Sequence, residues 1–241
     1  MRSEVAGMEV GFTGRYGIEA PYWPAGYGLA SALLLPLARW LSRWWLAAAA
    51  AFFGQAVLYL HTTLRGKHLV WRRELDRLEL AGDEHLLDVG CGSGAVLIAA
   101  ARRLPRGAAV GVDLWRSIDQ SGNDPARTWA NARICGVADR IRLHTADMTE
   151  LPFPNASFDV VTSALAVHNI PDARRREQAL AEMARVLKPG GQLVLVDIMH
   201  TNHYAKVLRD VITNLECRGL GVSYWYGGPW VSARALTGTR K

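Results

Sequence analysis

Cysteine is scarce in this sequence, with 3 residues in 241. Cys91, Cys135 and Cys217 lie far apart and form no Cys-x-x-Cys pair. Such spacing predicts neither a disulfide framework nor a zinc site, and it is typical of proteins in a reducing compartment. We therefore expect no metal ligands and no covalent cross-links.

Basic residues outnumber acidic ones and give a formal net charge of +6, but the sequence lacks a basic stripe. Arginines and lysines occur in small groups, such as Arg72-Arg73 and Arg102-Arg103. A nucleic-acid partner would require a basic surface with interleaved aromatic side chains. The sequence therefore gives little support to nucleic-acid binding.

Charge is almost absent between Tyr22 and Leu64, where Arg39 and Arg43 are the only charged residues. Residues 29–38 and 44–60 are apolar runs that predict two helices with a turn between them. The second run, at about 1.5 Å per residue, reaches roughly 26 Å, slightly less than a bilayer core. We interpret residues 29–64 as an apolar helical hairpin. It either enters a membrane or is buried against the rest of the chain or a second copy in a homo-oligomer.

Two features favour the lipid bilayer as the partner of this hairpin. Trp40, Trp44 and Trp45 accompany the arginines of the turn, as in an interfacial aromatic belt. Basic residues follow the second helix, as the positive-inside tendency predicts for a cytoplasmic segment: Arg65, Lys67, Arg72 and Arg73. We therefore predict a membrane-associated protein with a transmembrane or interfacial hairpin and the rest of the chain in the cytoplasm.

Residues 1–28 are rich in glycine, proline and aromatic residues and show no periodicity. We predict an irregular N-terminal arm there. A cleaved signal peptide is not indicated, because the apolar stretch begins too late and no small-residue cleavage site follows it.

Over residues 65–241, apolar strands alternate with helices, which predicts one α/β domain with a parallel sheet. An amphipathic helix over 70–80 leads into strands expected at 86–89, 108–112, 141–144, 158–163 and 192–196. After these we expect a helix over 201–217 and two short strands, over 221–226 and 231–239.

The first strand ends in an acid and a glycine turn, in the run Leu86-Leu87-Asp88-Val89-Gly90-Cys91-Gly92-Ser93-Gly94-Ala95. A glycine loop between a strand and a helix opens a nucleotide-binding α/β sheet. Asp113 ends the second strand, where a carboxylate accepts ribose hydroxyls. Gly90, Gly92 and Ala95 also fit the dinucleotide pattern, but Asp88 would repel a pyrophosphate on this loop. A ligand with an ammonium and a sulfonium suits Asp88 better, which favours S-adenosylmethionine.

Beyond this loop, the chain resembles the class I S-adenosylmethionine-dependent methyltransferases. Ala146-Asp147-Met148 resembles the family's adenine motif, and segments 151–161 and 187–193 resemble its approaches to the fourth and fifth strands. The resemblance implies a seven-stranded, mostly parallel Rossmann-like sheet with helices on both faces and a closing antiparallel hairpin. It implies that the cofactor S-adenosyl-L-methionine is bound by Asp88, Gly90, Cys91, Gly92, Gly94, Asp113, Leu114, Asp147, Met148 and Ser163.

The predicted activity is methyl transfer to a small apolar acceptor, for which a protein mainly aligns the reactants and excludes water. His168, after the fourth strand, is the candidate catalytic base, although it also fits a loop histidine that caps the following turn. Two other classes stay open: a cofactor-binding or regulatory module without catalysis and, more remotely, an NAD(P)-dependent oxidoreductase. The intact glycines and acids favour an enzyme over the module. The acceptor atom is not predicted.

Overall fold

The computed structural model describes residues 14–241. Its strands are β1 (His85–Val89), β2 (Ala108–Asp113), β3 (Ile141–Thr145), β4 (Phe158–Ala164), β5 (Leu187–Asp197), β6 (Ile212–Gly219) and β7 (Arg234–Arg240). They form a seven-stranded sheet in the order β3-β2-β1-β4-β5-β7-β6. Neighbouring strands are parallel except for β7, which is antiparallel to β5 and β6. The predicted fold class, including the closing hairpin, is confirmed.

Helices cover both faces of the sheet. The α-helices are α1 (Tyr22–Trp40), α2 (Trp44–His61), α3 (Lys67–Asp76), α4 (Ala95–Ala101), α5 (Pro125–Ile134), α6 (Ala173–Val186) and α7 (Thr201–Leu208). α3, α4 and α5 pack on one face, and α6 and α7 pack on the other. Alternation along the strands produces this division. In β5, Val194 and Val196 contact the first group, whereas Leu193 and Leu195 contact the second.

The helices α1 and α2 form the predicted hairpin, with a turn at residues 41–43. α1 packs chiefly on α2, and the Ser31 hydroxyl donates a 2.9 Å hydrogen bond to the carbonyl oxygen of Ala49. Many large apolar side chains of the hairpin are exposed, including Trp40 at 79% and Trp44 at 77%. Within residues 14–241, one continuous helix, Trp44–Asp76, is long and apolar enough to cross a membrane, and 28% of its apolar window is buried.

A π-helical turn, Thr62–Gly66, joins α2 to α3 without a break. Glycine is required at position 66 because a Cβ there would lie 1.8 Å from the carbonyl oxygen of Ser223. The Thr62 hydroxyl donates to the carbonyl oxygen of Trp225 at 2.7 Å. The base of the hairpin is therefore fixed to the loop before β7, while the tryptophans at its other end are exposed.

The expected boundary of the N-terminal arm is wrong. α1 begins at Tyr22, so residues 22–28 are helical, while residues 14–21 are irregular. Pro24 stands in the first turn, where a missing N–H removes no helical hydrogen bond, so this proline does not prevent the helix. The part of the arm expected over residues 1–13 lies outside the described residues.

The expected helix over 201–217 is also wrong in its second half. α7 ends at Leu208, and β6 begins at Ile212. The β-branched run Val211-Ile212-Thr213 favours a strand, which pairs with β7. Residues 221–226, expected as a strand, instead contain a 3₁₀ turn, Val222–Tyr224, so the closing hairpin is made by β6 and β7.

Candidate active site

A cavity of about 550 Å³ opens beside the glycine loop, at the carboxyl ends of the parallel strands. The direction of strand addition reverses between β1 and β4, and open α/β sheets bind ligands at such a crevice. The lining combines residues from the loops after β1, β2, β3 and β4 with residues from the arm, α3 and the loop before β7.

Gly90 and Gly92 give the glycine loop its shape. Their φ angles are +76° and +49°, which residues with a side chain rarely adopt. The Gly90 N–H donates a 2.8 Å hydrogen bond to the carbonyl oxygen of Val112. A Cβ on Gly90 would lie 2.2 Å from the Cβ of Ala166. The loop therefore fits between the ends of β2 and β4 only with glycine at this position.

Asp88 is buried in β1, with 1% of its surface exposed, and it lines the cavity. Its Oδ1 accepts a 2.9 Å hydrogen bond from the Thr162 hydroxyl, whereas its Oδ2 has no hydrogen-bond partner among the described residues. Burial raises the pKa of Asp88 to about 7, and the charge of Asp113 adds to the rise, although the Thr162 hydroxyl and the Leu97 N–H act in the opposite direction. A buried, unpartnered carboxylate oxygen is a suitable acceptor for a ligand ammonium.

Asp113, the last residue of β2, is held by its neighbours. Its Oδ2 accepts a hydrogen bond from the Gly92 N–H at 2.8 Å. Its Oδ1 accepts hydrogen bonds from the Trp115 N–H at 2.6 Å and from Asn123 Nδ2 at 3.1 Å. These contacts orient the carboxylate beside the glycine loop, where a ribose can bind.

Asp147 lies after β3 and lines the same cavity. Its Oδ1 accepts hydrogen bonds from the N–H and hydroxyl of Thr149 at 2.9 and 2.8 Å, and its Oδ2 pairs with Arg175 at 2.6 Å. Partial burial raises the pKa of Asp147, but the bonds from Thr149 and Arg175 outweigh it and lower the pKa below its ordinary value. Asp147 is therefore an ionised acceptor.

The structure brings together most of the predicted cofactor residues. Those that line the cavity are Asp88, Gly90, Cys91, Gly92, Asp113, Leu114, Asp147 and Met148. Cys91 is buried, and burial raises the pKa of its thiol, which disfavours the reactive thiolate.

Gly94, Ser163 and His168 are not among the described residues that line the cavity. Gly94 caps α4, and a Cβ there would lie 2.8 Å from the Thr128 methyl. The Ser163 hydroxyl is buried and donates to the carbonyl oxygen of Val89 at 2.8 Å. The side-chain positions of Gly94 and Ser163 face protein, and their contact with the cofactor stays a prediction.

Several lining residues were not predicted from the sequence: Glu19, Lys67, Trp71, Asp119, Gln120, Asn123, Arg175 and Tyr224. The arm reaches the cavity because Ile18 and Ser121 exchange hydrogen bonds, at 2.9 Å to the Ser121 hydroxyl and 3.1 Å back to the Ile18 carbonyl oxygen. No local motif marks these contacts. Lys67 offered the best signal, since it follows an apolar run, but there it predicted only the cytoplasmic side of the hairpin.

Residues 87–195 match the model of a family described as a methyltransferase domain. The chain is 35% identical over 136 residues to a demethylmenaquinone methyltransferase of Lactiplantibacillus plantarum, covering 55% of this chain and 53% of that protein. It is 34% identical over 132 residues to a sterol 4-C-methyltransferase of Caenorhabditis elegans, covering 54% and 36%. The matched region is therefore about half, or less, of these relatives.

Two solved structures share the fold at low sequence identity. An S-adenosylmethionine-dependent methyltransferase of Aquifex aeolicus has a TM-score of 0.52 at 15% identity, over 70% of this chain and 89% of that one. The geranyl diphosphate C-methyltransferase of Streptomyces coelicolor, in complex with S-adenosyl-L-homocysteine, has a TM-score of 0.55 at 15% identity, over 70% and 76%. The chain therefore contains a region, residues 87–195, that matches a methyltransferase domain, and it shares its fold with these methyltransferases; a helical extension, α1 to α3, precedes the matched region.

Proposed function

We propose that this chain transfers the methyl group of S-adenosylmethionine to a small apolar acceptor that it meets at a membrane. The observation that carries the proposal is the cavity at the strand ends, where Asp88 presents a buried, unpartnered oxygen and Asp113 and Asp147 present oriented carboxylates. S-adenosylmethionine carries an ammonium, a ribose and an adenine amino group, and each of these can donate hydrogen bonds to one of the three acids.

The residues present fit this cofactor, which supplies an electrophilic methyl group on a sulfonium. In this proposal Asp88 accepts from the ammonium, Asp113 from the ribose hydroxyls and Asp147 from the adenine amino group. Leu114 and Met148 provide apolar contact for the ring, and the backbone of Gly90 and Gly92 permits close approach. These interactions fix the cofactor and exclude water from the reacting atoms.

We assign the acceptor end of the cavity to its apolar and aromatic lining residues. Leu165, Ala166 and Ile170 follow β4, and Trp71 and Tyr224 come from α3 and the loop before β7. His168 lies in the same turn as Asn169, which lines the cavity. We assign His168 the role of base or orienting group for the acceptor; its backbone N–H donates a hydrogen bond to Asp197, which also lies against its ring.

The membrane part of the proposal is supported by the exposed hairpin. Its tip carries Trp40 and Trp44 beside Arg39 and Arg43, a combination typical of the bilayer interface. α1 packs chiefly on α2 rather than on the sheet domain, which argues against a role in the globular core. The sheet domain is then on the cytoplasmic side, as expected from the basic residues after α2. The names of two relatives, a demethylmenaquinone and a sterol methyltransferase, support an acceptor that partitions into lipid.

The proposal is tested by incubating the purified full chain in detergent with methyl-labelled cofactor and a membrane lipid extract. Label is expected in an organic-soluble product, and mass spectrometry then identifies the acceptor. Asp113→Ala serves as the control, with little product at limiting cofactor. Tight binding of S-adenosylhomocysteine with no product from any extract would favour the non-catalytic module, and preferential binding of NAD would favour an oxidoreductase.

A further inference from the structure

Lys67 differs from the other basic residues around the cavity because it is buried. It is 4% exposed, whereas Arg116 and Arg175, which also line the cavity, are exposed. Arg175 is in addition paired with Asp147 at 2.6 Å. Lys67 is the first residue of α3 and lies outside the matched family region, 87–195. The helical extension therefore contributes a buried positive charge to the cavity.

Glu19 of the arm connects this charge to the glycine loop. Lys67 Nζ lies 2.6 Å from Glu19 Oε1, and the Thr63 hydroxyl donates to Glu19 Oε2. Gln120 Nε2 donates to Glu19 Oε1 at 3.4 Å. Gln120 Oε1 accepts from the N–H and hydroxyl of Ser93, both at 2.8 Å. A short series of side chains thus places the ammonium near the loop that cradles the cofactor.

The Lys67–Glu19 pair leaves the lysine with unused donors. An ammonium carries three hydrogens, and Glu19 Oε1 is the one hydrogen-bond acceptor that the described residues provide for it. The desolvation of a buried ion pair is barely offset by its own attraction, and apolar side chains of similar size are often as stable. A ligand group that accepts a hydrogen bond from Lys67 would explain why an ion pair, rather than apolar side chains, lies at the wall of the cavity.

S-adenosylmethionine carries one anionic group, the carboxylate of its methionine part, on the same carbon as its ammonium. The other acids that line the cavity, Asp88, Asp113, Asp119 and Asp147, would repel this carboxylate. We propose that Lys67 binds the methionine carboxylate while Asp88 binds the ammonium, an assignment that rests on the proposed function for the identity of the cofactor. Because α3 continues from α2, the hairpin and the cofactor are then linked through one helix.

Calorimetry on the full chain in detergent tests this assignment with two ligands. S-adenosylhomocysteine contains the amino-acid group, whereas 5′-deoxy-5′-methylthioadenosine keeps the adenine, ribose and thioether but lacks it. We expect Lys67→Met to weaken S-adenosylhomocysteine binding about ten-fold or more, the loss typical of a charge-assisted hydrogen bond. Binding of 5′-deoxy-5′-methylthioadenosine is expected to be unchanged. Lys188→Met is the matched control, since Lys188 pairs with Asp159 at 2.8 Å and does not line this cavity.

Glu19→Gln separates ligand binding from a purely structural ion pair. It keeps the Lys67 ammonium and removes the opposing charge, so S-adenosylhomocysteine affinity is expected to hold or increase. The assignment is overturned if Lys67→Met leaves the affinity for S-adenosylhomocysteine unchanged. It is also overturned if Lys67→Met and Glu19→Gln each weaken the binding of both ligands equally, because the ion pair then only holds the arm in place. If the wild-type chain binds neither ligand, the proposed function itself fails.

Discussion

Asp197 Oδ1 lies 2.5 Å from His168 Nδ1. The other carboxylate oxygen, Oδ2, accepts a hydrogen bond from the His168 backbone N–H at 3.1 Å. Asp197 is the last residue of β5 and is fully buried, whereas His168 lies in the turn Val167–Asn169 after β4. Asp197 thus holds the backbone of this turn and lies against the imidazole, which restricts the orientation of the ring and leaves Nε2 as the atom that could act as a base.

We expect His168→Ala and Asp197→Asn to lower turnover by about 100-fold, the lower range for a lost general base, with cofactor affinity nearly intact. The reason is that a base acts mainly in the transition state. Turnover is measured with labelled cofactor and the identified acceptor, and affinity by calorimetry. His203→Ala is the control, because His203 is exposed and pairs with Glu177 at 2.8 Å. Turnover of His168→Ala within about two-fold of wild type would make His168 a turn cap only.

Asp113→Ala is expected to weaken S-adenosylhomocysteine binding about ten-fold or more, because the ribose loses charge-assisted hydrogen bonds of roughly 1.5 to 3 kcal/mol. Isothermal titration calorimetry measures the effect. Asp159→Ala is the matched control, since Asp159 is a surface carboxylate paired with Lys188 and outside the cavity. Equal affinities of Asp113→Ala and wild type would remove Asp113 from the cofactor site.

The sheet domain was largely predictable because its information is local. Each parallel strand is a short apolar run, and the acids and glycines that follow a strand lie within a few residues of its end. The errors in element boundaries arose where the local sequence is compatible with two structures. Pro24, for example, fits either a loop or the first turn of a helix. Likewise, residues 211–217 are short enough to extend a helix or to form a strand, and pairing with β7 decides between them.

The part of the cavity that is lined by the arm, α3 and the loop before β7 was not predictable, because it depends on long-range contacts. Glu19 and Lys67 are 48 residues apart in sequence, and neither lies in a recognisable motif. Ser163, which the family resemblance implied as a cofactor residue, shows what the sequence does not tell. Its hydroxyl donates to the carbonyl oxygen of Val89 in the adjacent strand. Whether a strand-end side chain faces the ligand or the neighbouring strand is decided by packing, not by sequence.

The affinity for S-adenosylhomocysteine is expected to depend on pH through Asp88. Burial raises the pKa of Asp88 to about 7 in the ligand-free chain, so below that pH the ligand ammonium must displace a proton. Affinity should therefore rise with pH, by up to about ten-fold per pH unit, and level off above about pH 7. Calorimetry at pH values on both sides of 7 measures how the affinity changes with pH. Asp88→Asn should bind weakly at every pH, and a wild-type slope retained in this variant would contradict the assignment.

The raised pKa of Asp88 also affects the stability of the ligand-free chain, which is expected to fall as pH rises. The pKa of Asp88 in the folded chain is raised above its ordinary value of 3.8, so the folded state binds the proton more tightly than the unfolded state. The contribution of Asp88 to the free energy of unfolding is therefore fully present below pH 3.8 and is lost as pH rises toward about 7. Thermal unfolding of Asp88→Asn without ligand should lack this decline, and an identical decline in both proteins would assign it to other groups.

Membrane binding is expected to depend on the exposed apolar face of the hairpin. Leu33 and Phe53 are 63% and 61% exposed on α1 and α2. An acidic residue inside a bilayer costs about 2.5 to 3.5 kcal/mol, so the double variant Leu33→Glu/Phe53→Glu should bind neutral phosphatidylcholine vesicles at least about 100-fold more weakly. Because these side chains are exposed, S-adenosylhomocysteine affinity is expected to be retained, which shows that the sheet domain is folded.

The matched control is Ile118→Glu/Ile134→Glu, which changes two residues that are 69% and 61% exposed but lie outside the hairpin. This variant is expected to float with vesicles in a density gradient like the wild-type chain, because charge on the sheet domain does not enter the bilayer. A wild-type chain that stays soluble without detergent, does not float and elutes as a stable dimer would show that a second copy covers the hairpin. Under that outcome the Leu33→Glu/Phe53→Glu variant would be monomeric, so one gradient and one gel-filtration experiment distinguish a lipid partner from a protein partner.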